Sequence, residues 1–153
     1  MADALPDHKG SGLRPAQGLL QLDNGAGKIR GIYAENNIAA EPLLRKWLAP
    51  FDSLGAGTVV ASRTGGTDHE YMQAVGLPGF QFIQDPLDYG SRVHHSNIDT
   101  LDHAPPDDVR QAATVLAAML WQAANSSEVL PRPPLPTAPG KSNPFKVEDP
   151  DKL

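Results

Sequence analysis

Between residues 17 and 127, short apolar runs alternate with longer amphipathic stretches, and this alternation constrains the fold more than any other feature of the sequence. The apolar runs predict four strands, at residues 18–22, 28–33, 58–61 and 79–83. The amphipathic stretches predict three helices, at residues 38–47, 68–75 and 107–125. Strands that alternate with helices are typical of an α/β fold, with helices packed against a mostly parallel sheet. The period-two alternation of residues 28–33 indicates an outer strand.

The ends of the chain differ from this middle part in composition. The sequence has 153 residues, with 15 Pro and 14 Gly, and many of these lie near the termini. We predict a mobile leader at residues 1–16, one domain at 17–127 and a Pro-rich extended tail at 128–153.

Charge and cysteine content exclude several classes of function. The formal net charge is −5 and no cluster of Lys and Arg forms a basic stripe, so we expect no nucleic-acid partner. The sequence has no Cys, which leaves His, Asp and Glu as the plausible metal ligands. No secretory signal precedes the domain and no run is long enough to cross a bilayer. We therefore expect no membrane partner, and the localisation stays open, although the chain is cytoplasmic as written.

The long predicted loop at residues 84–104 holds most of the histidines. Within it, His94 and His95 are followed by Asp99, and such a carboxylate can fix the tautomer of a metal-binding imidazole through its other ring nitrogen. A His-His pair in a loop is equally consistent with polar surface. The local pattern leaves both interpretations open.

Two further groups could belong to a site. Thr67 is placed to cap the helix that follows, while Asp68 and His69 could contact a ligand or form a buried hydrogen-bonded pair. Asp23 lies at a predicted strand end, where open α/β sheets bind ligands. The Asn24-Gly25 step after it also indicates a turn, and a turn alone is the favoured explanation of Asp23 from its surroundings.

Four stretches in this order resemble the co-catalytic zinc peptidases, the family of bacterial leucyl aminopeptidases, glutamate carboxypeptidase and glutaminyl cyclase. They are Leu20-Gln21-Leu22-Asp23, Gly66-Thr67-Asp68-His69, Gly76-Leu77-Pro78 and His95-Ser96-Asn97-Ile98-Asp99-Thr100. Residues 79–89 look like a bacterial branch of that family. The resemblance covers about residues 17–127 and implies the carboxy-terminal half of a catalytic domain, with an incomplete zinc-exopeptidase-type sheet and helices on its faces.

The resemblance also implies roles for individual residues. Asp23 and His95 match positions that each ligate one of two zinc ions, whereas His94 is disfavoured because the ligand directly precedes Ser or Thr. Asp68 and His69 are expected beside the site as supporting residues, and Asp99 is expected to orient His95.

Family members also carry, earlier in the chain, a His-x-Asp ligand motif, an Asp that bridges both metals, and a Glu-Glu pair that supplies the general base and a further ligand. This sequence has neither a His-x-Asp nor an adjacent Glu pair. Two protein ligands fall short of the three that are typical of a catalytic zinc site. We therefore expect a truncated or split peptidase that is inactive alone and acts on a peptide substrate only when an amino-terminal half completes it. The alternative is a non-catalytic binding module derived from the same fold.

Overall fold

The sheet is built from four short strands within residues 18–133, the range that the computed structural model describes. The strands are β1 (Leu19–Gln21), β2 (Ile29–Tyr33), β3 (Thr58–Val60) and β4 (Gly79–Gln84). They lie in the order β1-β4-β2-β3. The predicted leader lies outside the described residues, as does the tail from residue 134 onward.

The sheet is mixed, although two of its three pairings are parallel. β1 pairs with β4 and β2 pairs with β3 in parallel, whereas β2 and β4 are antiparallel. The α/β prediction is confirmed, but the prediction that residues 28–33 form an outer strand was wrong. β2 lies inside the sheet, between β4 and β3. Its alternation reflects two sheet faces of different polarity and carries no information on whether a neighbour pairs on each side.

The three helices lie close to their predicted positions. They are α1 (Glu41–Leu48), α2 (His69–Ala74) and α3 (Pro106–Asn125). A 3-10 helix at Ile38–Ala40 leads into α1, and another at Ala49–Leu54 follows it. Asp107 and Asp108 occupy the first turn of α3, as predicted, where carboxylates interact favourably with the helix dipole. Within the described range, no helix combines the length and apolar character that a bilayer crossing needs.

α1 and α3 cover one face of the sheet and enclose the apolar core. Phe80 and Phe82 are fully buried there, since alternate residues of β4 point to the same face. Trp47 of α1 and Met119 of α3 pack into the same cluster. Leu130, beyond the predicted domain boundary at residue 127, also lies in this core with 2% of its surface exposed. The first residues of the predicted tail therefore pack on the domain.

The opposite face is polar and is covered by α2. Gln21 and Gln81 are register partners on β1 and β4, so their side chains leave the sheet on the same side. α2 places His69 against both of these strands. This face buries hydrogen-bonded side chains where the other buries hydrocarbon.

Candidate metal centre

Asp23 lies two residues after β1, at the end of the sheet where the parallel strands β1 and β4 both finish. The turn after Asp23 lies against the end of β4, because the main-chain N–H of Asn24 faces Gln84 Oε1 at 3.4 Å and that of Gly27 donates to the Asp85 carbonyl at 2.9 Å. A side chain at Gly25 would lie 2.8 Å from Gln84 Cβ, so this approach requires glycine. The chain bends at Asn24 and leaves the Asp23 side chain exposed beyond the strand end, while the predicted Asn24-Gly25 turn stays a prediction.

The loop at residues 84–104, here called the histidine loop, starts at the same end of the sheet. It contains short helical turns that the sequence did not predict. Residues Tyr89–Val93 form a single π-helical turn, and Leu101–His103 form a 3-10 turn. The two ends of the loop are held together by a hydrogen bond between Asp88 Oδ2 and His103 Nδ1 at 2.7 Å. Val93 is 1% exposed and anchors the middle of the loop. The loop therefore has regular turns and is held by these two contacts.

Tyr89 connects Asp23 to the histidine pair. Its hydroxyl lies 3.5 Å from the carbonyl oxygen of Asp23, and its ring centroid lies 4.8 Å from that of His94. The rings of His94 and His95 stack with centroids 3.8 Å apart. Burial raises the pKa of Tyr89, and the negative charges of Asp23 and Asp99 raise it further. Tyr89 therefore contacts the main chain of Asp23 on one side and the His94 ring, which stacks on His95, on the other.

The imidazole of His95 is exposed, and its backbone adopts a left-handed conformation with φ of +56°. None of the hydrogen bonds in the described structure joins Asp99 to His95; the Asp99 main-chain N–H faces the Ser96 carbonyl at 3.4 Å. The orientation of His95 by Asp99 stays a prediction. The same holds for Asp23 and His95 as ligands of zinc.

The Gly66-Thr67-Asp68-His69 stretch forms a buried polar network under β1 and β4. The Thr67 hydroxyl donates to Gln81 Oε1 at 3.0 Å, so it can accept from His69 Nδ1 at 2.6 Å. The prediction that Thr67 caps α2 was wrong. Asp68 is the N-cap residue and its side chain makes no capping bond, while the Thr67 hydroxyl is used by this network instead. Of the two alternatives for Asp68 and His69, His69 is buried and hydrogen-bonded and Asp68 is exposed.

His69 also faces a buried carboxylate that the sequence did not single out. Its Nε2 lies 3.4 Å from Glu35 Oε1 and 3.3 Å from the Thr64 carbonyl. Because both ring nitrogens face acceptors, the doubly protonated imidazolium satisfies all of them. Burial lowers the pKa of His69, but the hydrogen bond and charge of Glu35 together with the Thr64 carbonyl leave that pKa raised above its ordinary value. Glu35 lies 34 positions before its partner, and no local pattern marks such a pairing.

Gln21 links this network to the candidate ligand. Its Oε1 accepts the main-chain N–H of His69 at 2.8 Å, and its Nε2 faces Asp23 Oδ2 at 3.4 Å. His69 therefore reaches Asp23 through its main chain and Gln21 and not through its imidazole, and its supporting role at a metal site stays a prediction.

Asp23 and His95 offer a carboxylate and an imidazole, which are suitable donors for zinc. Within residues 18–133, however, no group of three or more His, Asp and Glu side chains converges so as to hold a metal ion. The donors fit zinc in kind and are too few in number. A zinc centre at this edge requires ligands from outside the described residues.

Comparisons with known proteins give two matches to peptidases. A solved structure of a Peptidase M28 precursor from Shewanella amazonensis SB2B superposes with a TM-score of 0.62 at 32% sequence identity, over 76% of this chain and 27% of that chain. Carboxypeptidase Q of Pongo abelii is 27% identical over 114 residues, which are 74% of this chain and 24% of that protein. No family model matches the sequence. The chain thus spans about a quarter of the length of each of these relatives.

Proposed function

This chain belongs to the M28 peptidase family, and we propose that it supplies two zinc ligands, Asp23 and His95, to a peptidase site that residues outside it complete. The observation that carries the proposal is a series of contacts at one end of the sheet: the Tyr89 hydroxyl faces the Asp23 carbonyl, and the Tyr89 ring contacts His94, which stacks on His95. The reaction of the completed site is hydrolysis of a peptide bond next to a free amino terminus. The bound metal would activate water and polarise the scissile carbonyl.

The chain's own residues hold the ligands in place but provide no proton acceptor for this reaction. Gln21 Nε2 faces the Asp23 carboxylate, and the Gln21 amide is fixed in turn by the His69 main chain. Val93 and the Asp88–His103 pair hold the loop that carries His95. The adjacent Glu pair that supplies the base in family members is not in this sequence. We therefore propose that the chain is inactive alone.

The two edge strands of the sheet differ in how well they are covered, and this difference supports completion of the metal site at β1. At the β3 edge, the Arg45 guanidinium donates to the Val59 carbonyl at 3.1 Å and covers an otherwise open strand. No side-chain hydrogen bond in the described structure covers the outer side of β1, whose residues are all half-buried. Asp23 lies beyond the carboxyl end of β1. A further strand paired with β1 would therefore bring residues at one of its own ends next to Asp23, the carboxyl end if it is parallel and the amino end if it is antiparallel. We propose that the missing ligands come from such a neighbour.

A non-catalytic binding module is the second candidate function, and the closed core favours it. α1, α3 and Leu130 bury the apolar face of the sheet without help from any other chain. A core of this kind lets the domain fold alone, which a binding module requires and a split peptidase does not.

Zinc-binding calorimetry on the purified chain, together with hydrolysis of an aminoacyl chromogenic substrate, tests the proposal. We expect weak zinc uptake that is lost in Asp23→Ala and His95→Ala, and no turnover. Glu128→Ala is the matched control, because it removes an exposed carboxylate that pairs with Lys46 and leaves both proposed ligands and their neighbours in place. Uptake that is unchanged in His95→Ala would contradict the ligand assignment. Turnover by the chain alone would contradict the requirement for outside residues.

A further inference from the structure

Tyr89 contacts the main chain of Asp23 on one side and the histidine pair on the other, and it is not itself a proposed ligand. Its hydroxyl lies 3.5 Å from the Asp23 carbonyl oxygen, at the outer limit of a hydrogen bond. On the other side, its ring contacts His94, which stacks on His95. We propose that Tyr89 is a positioning residue that fixes Asp23 and His95 relative to each other before any metal binds. This inference rests on the proposed function, because it treats those two residues as ligands.

The backbone of the loop shows why His95 needs such support. His95 is not glycine, yet its φ of +56° places it in the left-handed region, which is unfavourable for a residue with a side chain. The exposed imidazole has no hydrogen bond in the described structure that would hold it there. The ring stack is the contact that favours this conformation, since a change of φ at His95 would separate the two imidazoles.

The π-helical turn aligns Tyr89 with His94. The main-chain N–H of His94 donates to the Tyr89 carbonyl at 2.9 Å, which places the two side chains beside each other. Val93, between them in sequence, points into the protein and is 1% exposed. The turn thus holds the three rings of Tyr89, His94 and His95 in one series above the end of β1.

A fixed pair of ligands binds a metal more tightly than a mobile pair, since less conformational freedom is lost on binding. Residues that orient metal ligands through a neighbour typically change the metal affinity about 10-fold or more when they are replaced. Tyr89 contacts no side-chain atom of a proposed ligand, and it acts on His95 through the His94 ring. Its expected effect is on affinity and on the order of the loop.

The first test needs no metal and uses the full chain with Tyr89→Phe and Tyr89→Leu. NMR of His95 reports its left-handed backbone through the carbon chemical shifts and the ring stack through the shifts of the imidazole protons. We expect Tyr89→Phe to retain both signatures and Tyr89→Leu to lose both. If Tyr89→Leu keeps the His95 signals of the wild type, the proposal is overturned.

The second test is an NMR titration of the same proteins with zinc ions alone. We expect the Asp23 and His95 signals of the wild type to shift with one shared midpoint. Tyr89→Leu should raise the apparent Kd about 10-fold, and Tyr89→Phe should raise it by a smaller factor, because it removes only the contact with Asp23. Tyr33→Phe on β2 is the matched control, since Tyr33 lies at the far end of that strand, and it should leave the Kd unchanged.

The outcomes separate the two proposals. Equal zinc affinities in the wild type and both Tyr89 variants overturn the positioning role, because a residue that serves only the fold would not move them. Zinc shifts at neither Asp23 nor His95 in the wild type overturn the proposed function, and the metal-free test then decides on Tyr89 by itself. If Tyr89→Leu fails to fold, as judged by circular dichroism, the zinc affinity of Tyr89→Phe decides.

Discussion

Glu35 and His69 form an ion pair with no exposed side-chain surface, and it joins the ends of three segments. Glu35 follows β2, His69 opens α2, and Glu35 Oε2 accepts the main-chain N–H of Thr64 at 3.1 Å. Glu35 Oε1 has no partner other than His69 Nε2 at 3.4 Å, so the imidazolium compensates its charge. A buried carboxylate that lost this partner would be strongly destabilising. The same network reaches Asp23 through Gln21, so we expect its charge state to matter for the site as well as for the fold.

The raised pKa of His69 predicts how stability depends on pH. A folded-state pKa above the ordinary 6.5 adds stability that is complete below about pH 6.5 and is lost as the pH rises through the folded value. We therefore expect the free energy of unfolding in urea to fall as the pH increases across this window. In Glu35→Gln the slope should vanish or reverse, because burial, the largest influence, then lowers the His69 pKa against only the smaller contributions of the Thr64 carbonyl and Glu70.

The matched control for this prediction is Glu128→Gln. Glu128 pairs with Lys46 at 2.5 Å, but both side chains are more than half exposed, so its removal should leave the pH slope in place. A slope that persists in Glu35→Gln would show that another group carries the pH dependence.

At the scale of elements, Gln111 joins α3 to the sheet in the way that a neighbouring strand would. Its Oε1 accepts the main-chain N–H of Ile29 at 2.9 Å and its Nε2 donates to the Ile29 carbonyl at 2.9 Å. The register of β2 against β4 shifts between Ile29 and Gly31, and the fully buried Ile29 takes this partner on the helix at that irregularity. The long helix is thereby fixed to β2 by hydrogen bonds as well as by its apolar stripe.

Gln111→Leu should destabilise the protein by about 2 kcal/mol, because two buried main-chain groups lose their partner. The comparison is Gln122→Leu on the same helix, where a single bond to the Trp47 carbonyl at 2.9 Å is lost. We expect the cost there to be roughly half as large. Urea unfolding of both variants measures the difference, and equal costs would mean that the second bond of Gln111 adds no stability.

The elements were more predictable from the sequence than their neighbours in space. Hydrophobic period and Gly or Pro at the ends located α3 and β4 to within one or two residues, since these signals are local. The strand order was not predictable, because period two in β2 describes its faces and not its edges. The pairing of Glu35 with His69 and the contact of Tyr89 with Asp23 join residues 34 and 66 positions apart, and no local pattern encodes them. The family motif placed Asp23 and His95 at candidate ligand positions, but the residues that hold them became visible only in the fold.

At the scale of the whole molecule, the two tryptophans differ in whether the domain's own core buries them. Trp47 on α1 is 3% exposed and fills the core, whereas Trp121 on α3 is 71% exposed. The sheet is therefore closed by α1 and α3 without Trp121. We expect Trp47→Ala to cost about 4 kcal/mol in urea unfolding and Trp121→Ala to cost little, since it removes no buried contact. A large cost at Trp121 would mean that this side chain is buried in solution, for example between two associated copies of the chain.

The unequal protection of the sheet edges predicts where such association would start. Arg45 covers the main chain of β3, whereas no side chain within residues 18–133 covers the outer main chain of β1 in this way, and β1 contains the half-buried Leu19 and Leu20. An open apolar edge strand pairs readily with another chain, and a lysine on that strand opposes the pairing. We expect the purified chain to self-associate with rising concentration in sedimentation velocity, and Leu19→Lys to shift it toward the monomer. Thr58 has an exposed side chain on β3, whose main chain Arg45 already covers, so Thr58→Lys should sediment like the wild type. If both lysine variants associate as strongly as the wild type, β1 is not the surface through which chains meet, and the proposal that a neighbouring strand completes the metal site at β1 loses its structural support.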